Sequence, residues 1–145
     1  MNEMLLVVML GGRRAALPAI EVNSVIELGE VTPVPRAAAH VAGLAALRSR
    51  PLTVIDCAAV LGAADPTDWR QKRAVVVEHE GHLYGLLVDA ADDIVAAASE
   101  LEQLGADPGP GWQRIALGRV ESEAGALLLL DIAALVAGPG ESLAA

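Results

Sequence analysis

The sequence predicts an all-β protein of 145 residues folded as a single domain. Its apolar stretches are mostly about five to eight residues long, are rich in Val, Leu and Ile, and end at turn-forming residues. Stretches of this length with such boundaries are typical of strands. The chain is 54% apolar but contains no Phe and only two Trp. Its core is therefore expected to consist of small aliphatic side chains in thin, closely packed layers.

The chain is predicted to begin with a β-hairpin. Met4–Leu10 and Arg13–Leu17 flank Gly11 and Gly12. Glycine readily adopts the positive φ angles that two-residue hairpin turns require. A third strand is expected near Val22–Leu28, ending at Gly29.

Two prolines shape the next segment. Pro33 and Pro35 favour extended backbone in the residues before them and remove two hydrogen-bond donors, so this piece is expected along an edge or between elements. The alanine-rich segment Arg36–Ala42 then predicts a short helix. Gly43 would end that helix. Its expected role is therefore to stop the helix rather than to contact a partner protein.

A strand followed by an aspartate is predicted next. Leu52–Ile55 is the strand, and Asp56 can accept hydrogen bonds from the N–H groups that open the helical turn Cys57–Leu61. A similar strand, aspartate and apolar run recurs at Asp131, 75 residues later. The recurrence indicates either two similar lobes or a coincidence in an alanine-rich chain.

The polar segment Ala63–Arg73 is the best candidate for a connection between two halves. We therefore divide the chain into lobes at residues 14–65 and 73–137, allowing for strand exchange between them, with a tail at 138–145. The second half is predicted to contain a hairpin of Ala74–Glu78 and Leu83–Val88 around Glu80-Gly81, a strand at Ile94–Ala97, a short helix at Ser99–Leu104, a loop at Gly105–Gly111, and a hairpin of Ile115–Val120 and Ala126–Leu130.

Charge and hydropathy exclude several classes of function. Ten basic and nineteen acidic residues give a net charge of −9, which disfavours binding to nucleic acid or to an anionic membrane. The longest apolar runs are far shorter than the roughly 20 residues of a spanning helix, so no direct membrane insertion is expected. The amino terminus lacks the features of a cleavable signal, and the single cysteine cannot form an internal disulfide. We therefore expect a cytoplasmic protein.

The candidates for chemistry are one cysteine and three histidines. Asp56 would raise the pKa of the Cys57 thiol, whereas a nucleophile needs a lowered pKa. His79 and His82 flank a predicted turn and would face each other across the hairpin, but two ligands are too few for a metal site. We expect no enzyme, no cofactor and no metal. A small hydrolase or metal-binding protein using Cys57 or His79 and His82 stays as a distant alternative.

One ordered set of residues in the first half consists of Val22, Val31-Thr32-Pro33-Val34-Pro35, Val41-Ala42-Gly43-Leu44, Leu47-Arg48 and Leu52–Asp56. In spacing and polarity this set resembles the CheW-like family of chemotaxis coupling proteins. Two later hairpins, Ala74–Asp89 and Ile115–Leu130, are also similar to that family, so the resemblance covers nearly the whole chain. It implies two five-stranded, SH3-like β-barrel lobes packed around an apolar seam, with short helices.

The resemblance implies a non-catalytic scaffold that couples the cytoplasmic tips of chemoreceptors to a CheA-type histidine kinase. Such a protein would be recruited to membrane-associated receptor arrays. The receptor groove would include Val22, Arg48 and Ile94. Two interpretations of Arg48 stay open, because its guanidinium can make forked hydrogen bonds to a receptor helix or bind carbonyls of its own loop.

The kinase-binding surface implied by the resemblance lies on the first lobe around Ser24, Val31 and Gly43. Val31 is either an exposed apolar contact or ordinary core. Many relatives carry an acidic residue where Ser24 stands, glycine where Ser49 stands and proline where Thr53 stands. These differences favour, as the alternative function, a divergent paralogue that binds receptors or array components without activating a kinase.

Overall fold

The computed structural model describes residues 3–62, 72–104 and 108–138. Within them the chain forms ten strands, three short α-helices and one 3-10 turn at Ala19–Glu21. The strands are β1 Met4–Leu10, β2 Arg13–Pro18, β3 Val22–Ile26, β4 Val41–Leu47, β5 Arg50–Asp56, β6 Arg73–His79, β7 His82–Val88, β8 Ala90–Ala96, β9 Ala116–Ser122 and β10 Gly125–Leu130. The helices are α1 Cys57–Val60, α2 Pro110–Ile115 and α3 Ile132–Ala137.

The strands form two mixed, five-stranded sheets. Sheet A has the order β8-β1-β2-β10-β9, and sheet B has the order β3-β6-β7-β5-β4. All neighbouring strands are antiparallel except β2 with β10 and β5 with β7, which are parallel. The predicted all-β class is therefore confirmed. Each sheet contains strands from both predicted lobes, and sheet A in addition contains β1, which lies before the first predicted lobe. The lobe boundaries themselves stay a prediction.

The three predicted hairpins are confirmed. β1 pairs with β2 across Gly11 and Gly12, whose φ angles are +60° and +81°. β6 pairs with β7 so that His79 faces His82. β9 pairs with β10, and the turn between them is shorter than expected because the strands reach Ser122 and Gly125. The connection predicted from residue 63 onward falls largely outside the described residues, and Arg73 already belongs to β6.

Two predicted helices are wrong. Within Arg36–Ala42 the chain turns, with φ +64° at Arg36, and then enters β4 at Val41. Ser99–Leu104 is also not helical, because Glu102 forms a β-bridge with Arg119. Alanine favours helix only weakly, and here cross-strand pairing with distant parts of the chain outweighs that local preference.

Gly43 does not end a helix but lies inside β4. A Cβ atom at this position would overlap the carbonyl oxygen of Thr32, which pairs with Leu44 on the outer side of the strand. The pairing of β4 with β5 is irregular between Val41 and Gly43. Glycine is required here because another segment of backbone approaches the strand closely.

The two sheets share one construction. Asp56 follows β5 and its carboxylate accepts a hydrogen bond from Ala59 N; Asp131 follows β10 and accepts from the N–H groups of Ala133 and Ala134. Gly118 in β9 is crowded by the backbone of Glu102 as Gly43 is crowded by Thr32. The recurrence 75 residues apart is therefore a structural repeat.

Candidate functional site

The largest apolar cluster of the protein lies between the two sheets, and we call it the seam. Along several strands, residues of the seam alternate with residues of smaller apolar clusters, which lie on the opposite face of the same sheet. Both faces of each sheet are therefore buried. This explains why several strands are continuously apolar. The fully buried or nearly buried members of the seam are Leu6, Val8, Leu10, Ala15, Leu17, Ile55, Cys57, Val60, Val75, Val77, Leu86, Val88, Trp112, Ile115, Leu130, Ile132 and Leu135.

Two predicted receptor-binding residues lie at the border of the seam. Val22 pairs with Val77, and Ile94 pairs with Leu6. Directly opposed residues of antiparallel strands share a face, and both partners belong to the seam, so Val22 and Ile94 face its side. They stand on the outer strands β3 and β8. Val22 is half-buried, while Ile94 is 58% exposed.

The structure adds two residues that the sequence did not indicate. Ile20, in the 3-10 turn before β3, is 90% exposed, and Met4 is 46% exposed. They line one shallow depression together with Glu3 and Ala19. Met4 pairs with Ala96 and is thus a diagonal neighbour of Ile94. An isoleucine in a predicted connection, flanked by Ala and Glu, was the only signal for this site in the sequence.

We name Met4, Ile20, Val22 and Ile94 the seam rim. Its members come from the start of β1, the 3-10 turn, β3 and β8. Met4, Ile20 and Ile94 are exposed, and Met4 neighbours both of the others. Adjacent exposed apolar side chains mark interaction surfaces more often than scattered single ones do. The seam rim is therefore an apolar surface suited to the apolar face of a partner.

Arg48 occupies the tip of the turn between β4 and β5. It has φ +50° and Ser49 has φ +73°, so both residues of this two-residue turn are left-handed without being glycine. The guanidinium is exposed and makes no hydrogen bond or ion pair with any described residue. The interpretation in which Arg48 binds carbonyls of its own loop therefore has no support in the structure. The preceding Leu47 packs against the cluster of Leu52, Val76 and Leu83 in sheet B.

The three residues predicted to face a kinase are partly or fully buried. Ser24 pairs with Val76, which lies on the far face of sheet B, and is half-buried. Val31 is half-buried and packs against the inner cluster that contains Val54. Gly43 is buried beneath Val31. Val31 and Gly43 are adjacent, whereas Ser24 lies on β3, the outer strand at the opposite side of sheet B, and all three offer little exposed side chain.

The sequence was compared with protein families and with known proteins. The family model described as the CheW-like domain matches residues 4–139. The chain belongs to the CheW-like family. It is 35% identical over 80 residues to protein PilI of Pseudomonas aeruginosa, a match that covers 55% of this chain and 45% of PilI. The chain thus matches less than half the length of this curated relative.

A solved CheW has the same fold. The scaffolding protein TtCheW from Thermoanaerobacter tengcongensis superposes with a TM-score of 0.78, at 20% identity and over 90% of each chain. The CheW-like family consists of non-catalytic coupling and scaffold proteins. None of the helices in the described residues is long and apolar enough to cross a membrane.

The alternative chemical site of this CheW-like chain has unfavourable geometry. Cys57 is fully buried in the seam, and burial together with the carboxylates of Asp56 and Asp89 raises the pKa of its thiol far above the ordinary value of 9.0. A thiol in this state is a poor nucleophile. His79 and His82 oppose each other, yet no third His, Cys, Asp or Glu joins them in a metal-sized group among the described residues.

Proposed function

We propose that this CheW-like protein is a non-catalytic scaffold that couples chemoreceptor tips to a CheA-type histidine kinase in a bacterial chemosensory array. The observation that carries the proposal is the family match over residues 4–139 combined with an exposed apolar rim at the seam. A scaffold needs contacts that differ between the active and inactive states of the kinase, and it needs no reactive group.

On the receptor side, the seam rim would take the apolar face of a helix. Helix-in-groove recognition uses a few apolar anchors spaced along the helix, and Ile20, Val22 and Ile94 provide complementary apolar contacts. Arg48 would act separately, as an exposed guanidinium at the tip of sheet B that can bind carboxylates or carbonyls of the receptor. Receptor binding would recruit the protein from the cytoplasm to membrane-associated arrays.

On the kinase side, Ser24, Val31 and Gly43 would form the contact with the regulatory domain. Leu44, which pairs with Thr32, adds an exposed apolar side chain near Val31 and Gly43, while Val31 itself is half-buried against the inner cluster. Desolvated aliphatic contacts of this kind carry the energy of an interface better than charges at its edge do.

A reconstituted kinase assay tests the proposal. Autophosphorylation of a CheA-type kinase would be measured with receptor cytoplasmic fragments on vesicles, with and without the protein. We expect stimulation only in its presence. Ile94→Ser and Ile20→Ser should weaken receptor binding, while Leu117→Ser, which alters a similarly exposed residue on β9, should not. If the wild-type protein neither binds the receptor fragment nor changes kinase activity, the proposed function is wrong.

A second candidate is a CheW-like protein that binds receptors without activating a kinase. The partial burial of Ser24 and Val31 and the full burial of Gly43 favour it, since little side chain is left for a kinase to contact. Pull-down experiments separate the two candidates. The first expects capture of both receptor and kinase, and the second expects capture of the receptor alone.

A further inference from the structure

We propose that two neighbouring hairpin tips of sheet B form a binding site for a carboxylate side chain of the receptor helix, centred on Arg50 and His82. The inference rests on the proposed function, since the carboxylate is taken to belong to the receptor. It adds the chemistry of that contact and two residues beyond Arg48.

The topology of sheet B builds this site. Strands β5 and β7 are parallel, with Leu52 opposite Leu83, so both begin at the same end of the sheet. The turn before β5 and the turn before β7 are therefore neighbours, although they are more than 30 positions apart in sequence. Between them lies a cleft of about 90 Å³ lined by Arg50, Pro51, Thr53, Gly81, His82 and Leu83.

Arg50 is the charged side chain that lines the cleft, and Arg48 lies in the turn before it. Arg48 and Arg50 are exposed and have no ion-pair partner among the described residues. In contrast, the cations Lys72, Arg73 and Arg119 are each paired with carboxylates.

No Asp or Glu is among the described residues that line this cleft. Glu80 precedes the lining Gly81 and lies 4.0 Å from His79, and Glu78 on β6 pairs with the lining Leu83. In a protein of net charge −9, a local excess of positive charge selects an acidic partner.

The size and donors of the cleft suit a single carboxylate. Small-molecule sites usually enclose about 300–1,000 Å³, so a cleft of about 90 Å³ is too small for a cofactor. Arg50 supplies a planar donor group that matches a carboxylate, and Thr53 and His82 add further polar groups at the walls. A glutamate or aspartate side chain projecting from a receptor helix fits these properties.

The first test uses poly-L-glutamate as a probe and does not need the receptor. In an NMR titration at low salt, we expect the amide signals of Ser49 and Gly81 to shift, and we expect Arg50→Gln to abolish the shifts. The matched control is Arg36→Gln, which removes another exposed and unpaired arginine in a different loop. Absence of shifts, or shifts with tripolyphosphate but not with poly-L-glutamate, would overturn the carboxylate assignment.

The second test measures affinity for a receptor cytoplasmic fragment. Arg50→Gln and His82→Gln should each weaken binding by about two- to fivefold at low salt, and the effect of Arg50→Gln should shrink as salt is raised. Changing tip glutamates of the fragment to glutamine should remove the effect of Arg50→Gln. If the fragment binds Arg50→Gln as tightly as wild type, the inference fails while the proposed function stands. If wild type does not bind the fragment but still responds to poly-L-glutamate, the proposed function fails instead.

Discussion

In sheet A, the segment after β8 is tied to β9 by two bridges, Ala97 to Ser122 and Glu102 to Arg119, and by a hydrogen bond from Ala98 N to Glu121 O. In sheet B, the segment after β3 forms one β-bridge with β4 among the described residues, between Thr32 and Leu44.

The weaker closure leaves part of sheet B open. The N–H and C=O groups of Ala46 should point in the same direction as those of Leu44, away from β5, because residues two apart in a strand share an edge. A cavity lies beside them, lined by residues 26–30, Thr32 and residues 44–46.

The same arrangement of strands therefore serves different purposes in the two sheets. Sheet A is closed by main-chain pairing and carries one of the predicted partner residues, Ile94. Sheet B carries the other five, and it has the open edge, the strained turn at Arg48 and the unpaired cations. An exposed edge and uncompensated charge cost stability but leave groups free to bind a partner.

The largest expected effect comes from the equivalent glycines Gly43 and Gly118. In each, a new Cβ atom would overlap the backbone of Thr32 or Glu102. Gly43→Ala and Gly118→Ala should each lower the free energy of unfolding by about 3 kcal/mol or more, measured by urea denaturation. Gly29→Ala, in open space, should have little effect. A cost below about 1 kcal/mol for either glycine would break the equivalence of the sheets.

A difference between the sheets should appear at alkaline pH. Cys57 follows the first capping aspartate, while the non-titrating Ile132 follows the second. Because the pKa of Cys57 is raised in the folded state, its contribution to stability is complete below the ordinary value of 9.0 and is lost above it as the unfolded chain releases the proton. Near pH 10, deprotonation of this thiol in the unfolded chain should lower the free energy of unfolding by about 1.4 kcal/mol relative to neutral pH.

The matched control for the alkaline effect is Cys57→Val. Urea denaturation of both proteins between pH 7 and pH 10 isolates the thiol from other titrating groups. The wild-type protein should lose more stability than the variant. Equal losses would show that the thiol is not protected in the native seam, and rapid native-state reaction with a thiol reagent would lead to the same conclusion.

The two capping aspartates should have similar, smaller effects. Asp56→Ala and Asp131→Ala should each destabilise the protein by about 1 kcal/mol, because each leaves helix N–H groups without an acceptor. Asp131 accepts from two N–H groups and Asp56 from one, so Asp131→Ala should cost the more. The asparagine variants are the controls and should retain most of the stability. The reverse order of costs would argue against capping as the cause.

The smallest effect is expected at the equivalent turn positions Ser49 and Ala124. Ser49 has φ +73°, whereas Ala124 is not left-handed and Gly125 takes φ +94° instead. Ser49→Gly should therefore stabilise the protein by about 0.5 kcal/mol, and Ala124→Gly should not. Thermal denaturation of both variants checks this. Stabilisation by both changes would mean that the two turns do not differ as described.

Much of the fold could be predicted because its signals are local. The Gly11-Gly12 turn, the hairpin ending at His79 and His82, and the cap at Asp56 each depend on residues close in sequence. The helices predicted at Arg36–Ala42 and Ser99–Leu104 failed because those segments pair with strands that the local sequence does not reveal.

The candidate site was less accessible to prediction. Val22, Arg48 and Ile94 came from a family resemblance, and Ile20 was missed because an exposed apolar residue looks the same in sequence as a buried one. The cleft at Arg50 and His82 depends on the parallel pairing of β5 with β7, which joins two hairpins that are separated along the chain.

The all-β class, the hairpins and the aspartate-capped turns follow from the sequence, because turn residues and short apolar stretches specify local structure through residues that are close together in the chain. Only the three-dimensional fold shows that Gly43 is crowded by Thr32, that Ile20 and Met4 border the seam, and that Arg50 and His82 line one cleft. These contacts arise from pairing between distant strands, and such pairing depends on the whole chain rather than on any local pattern.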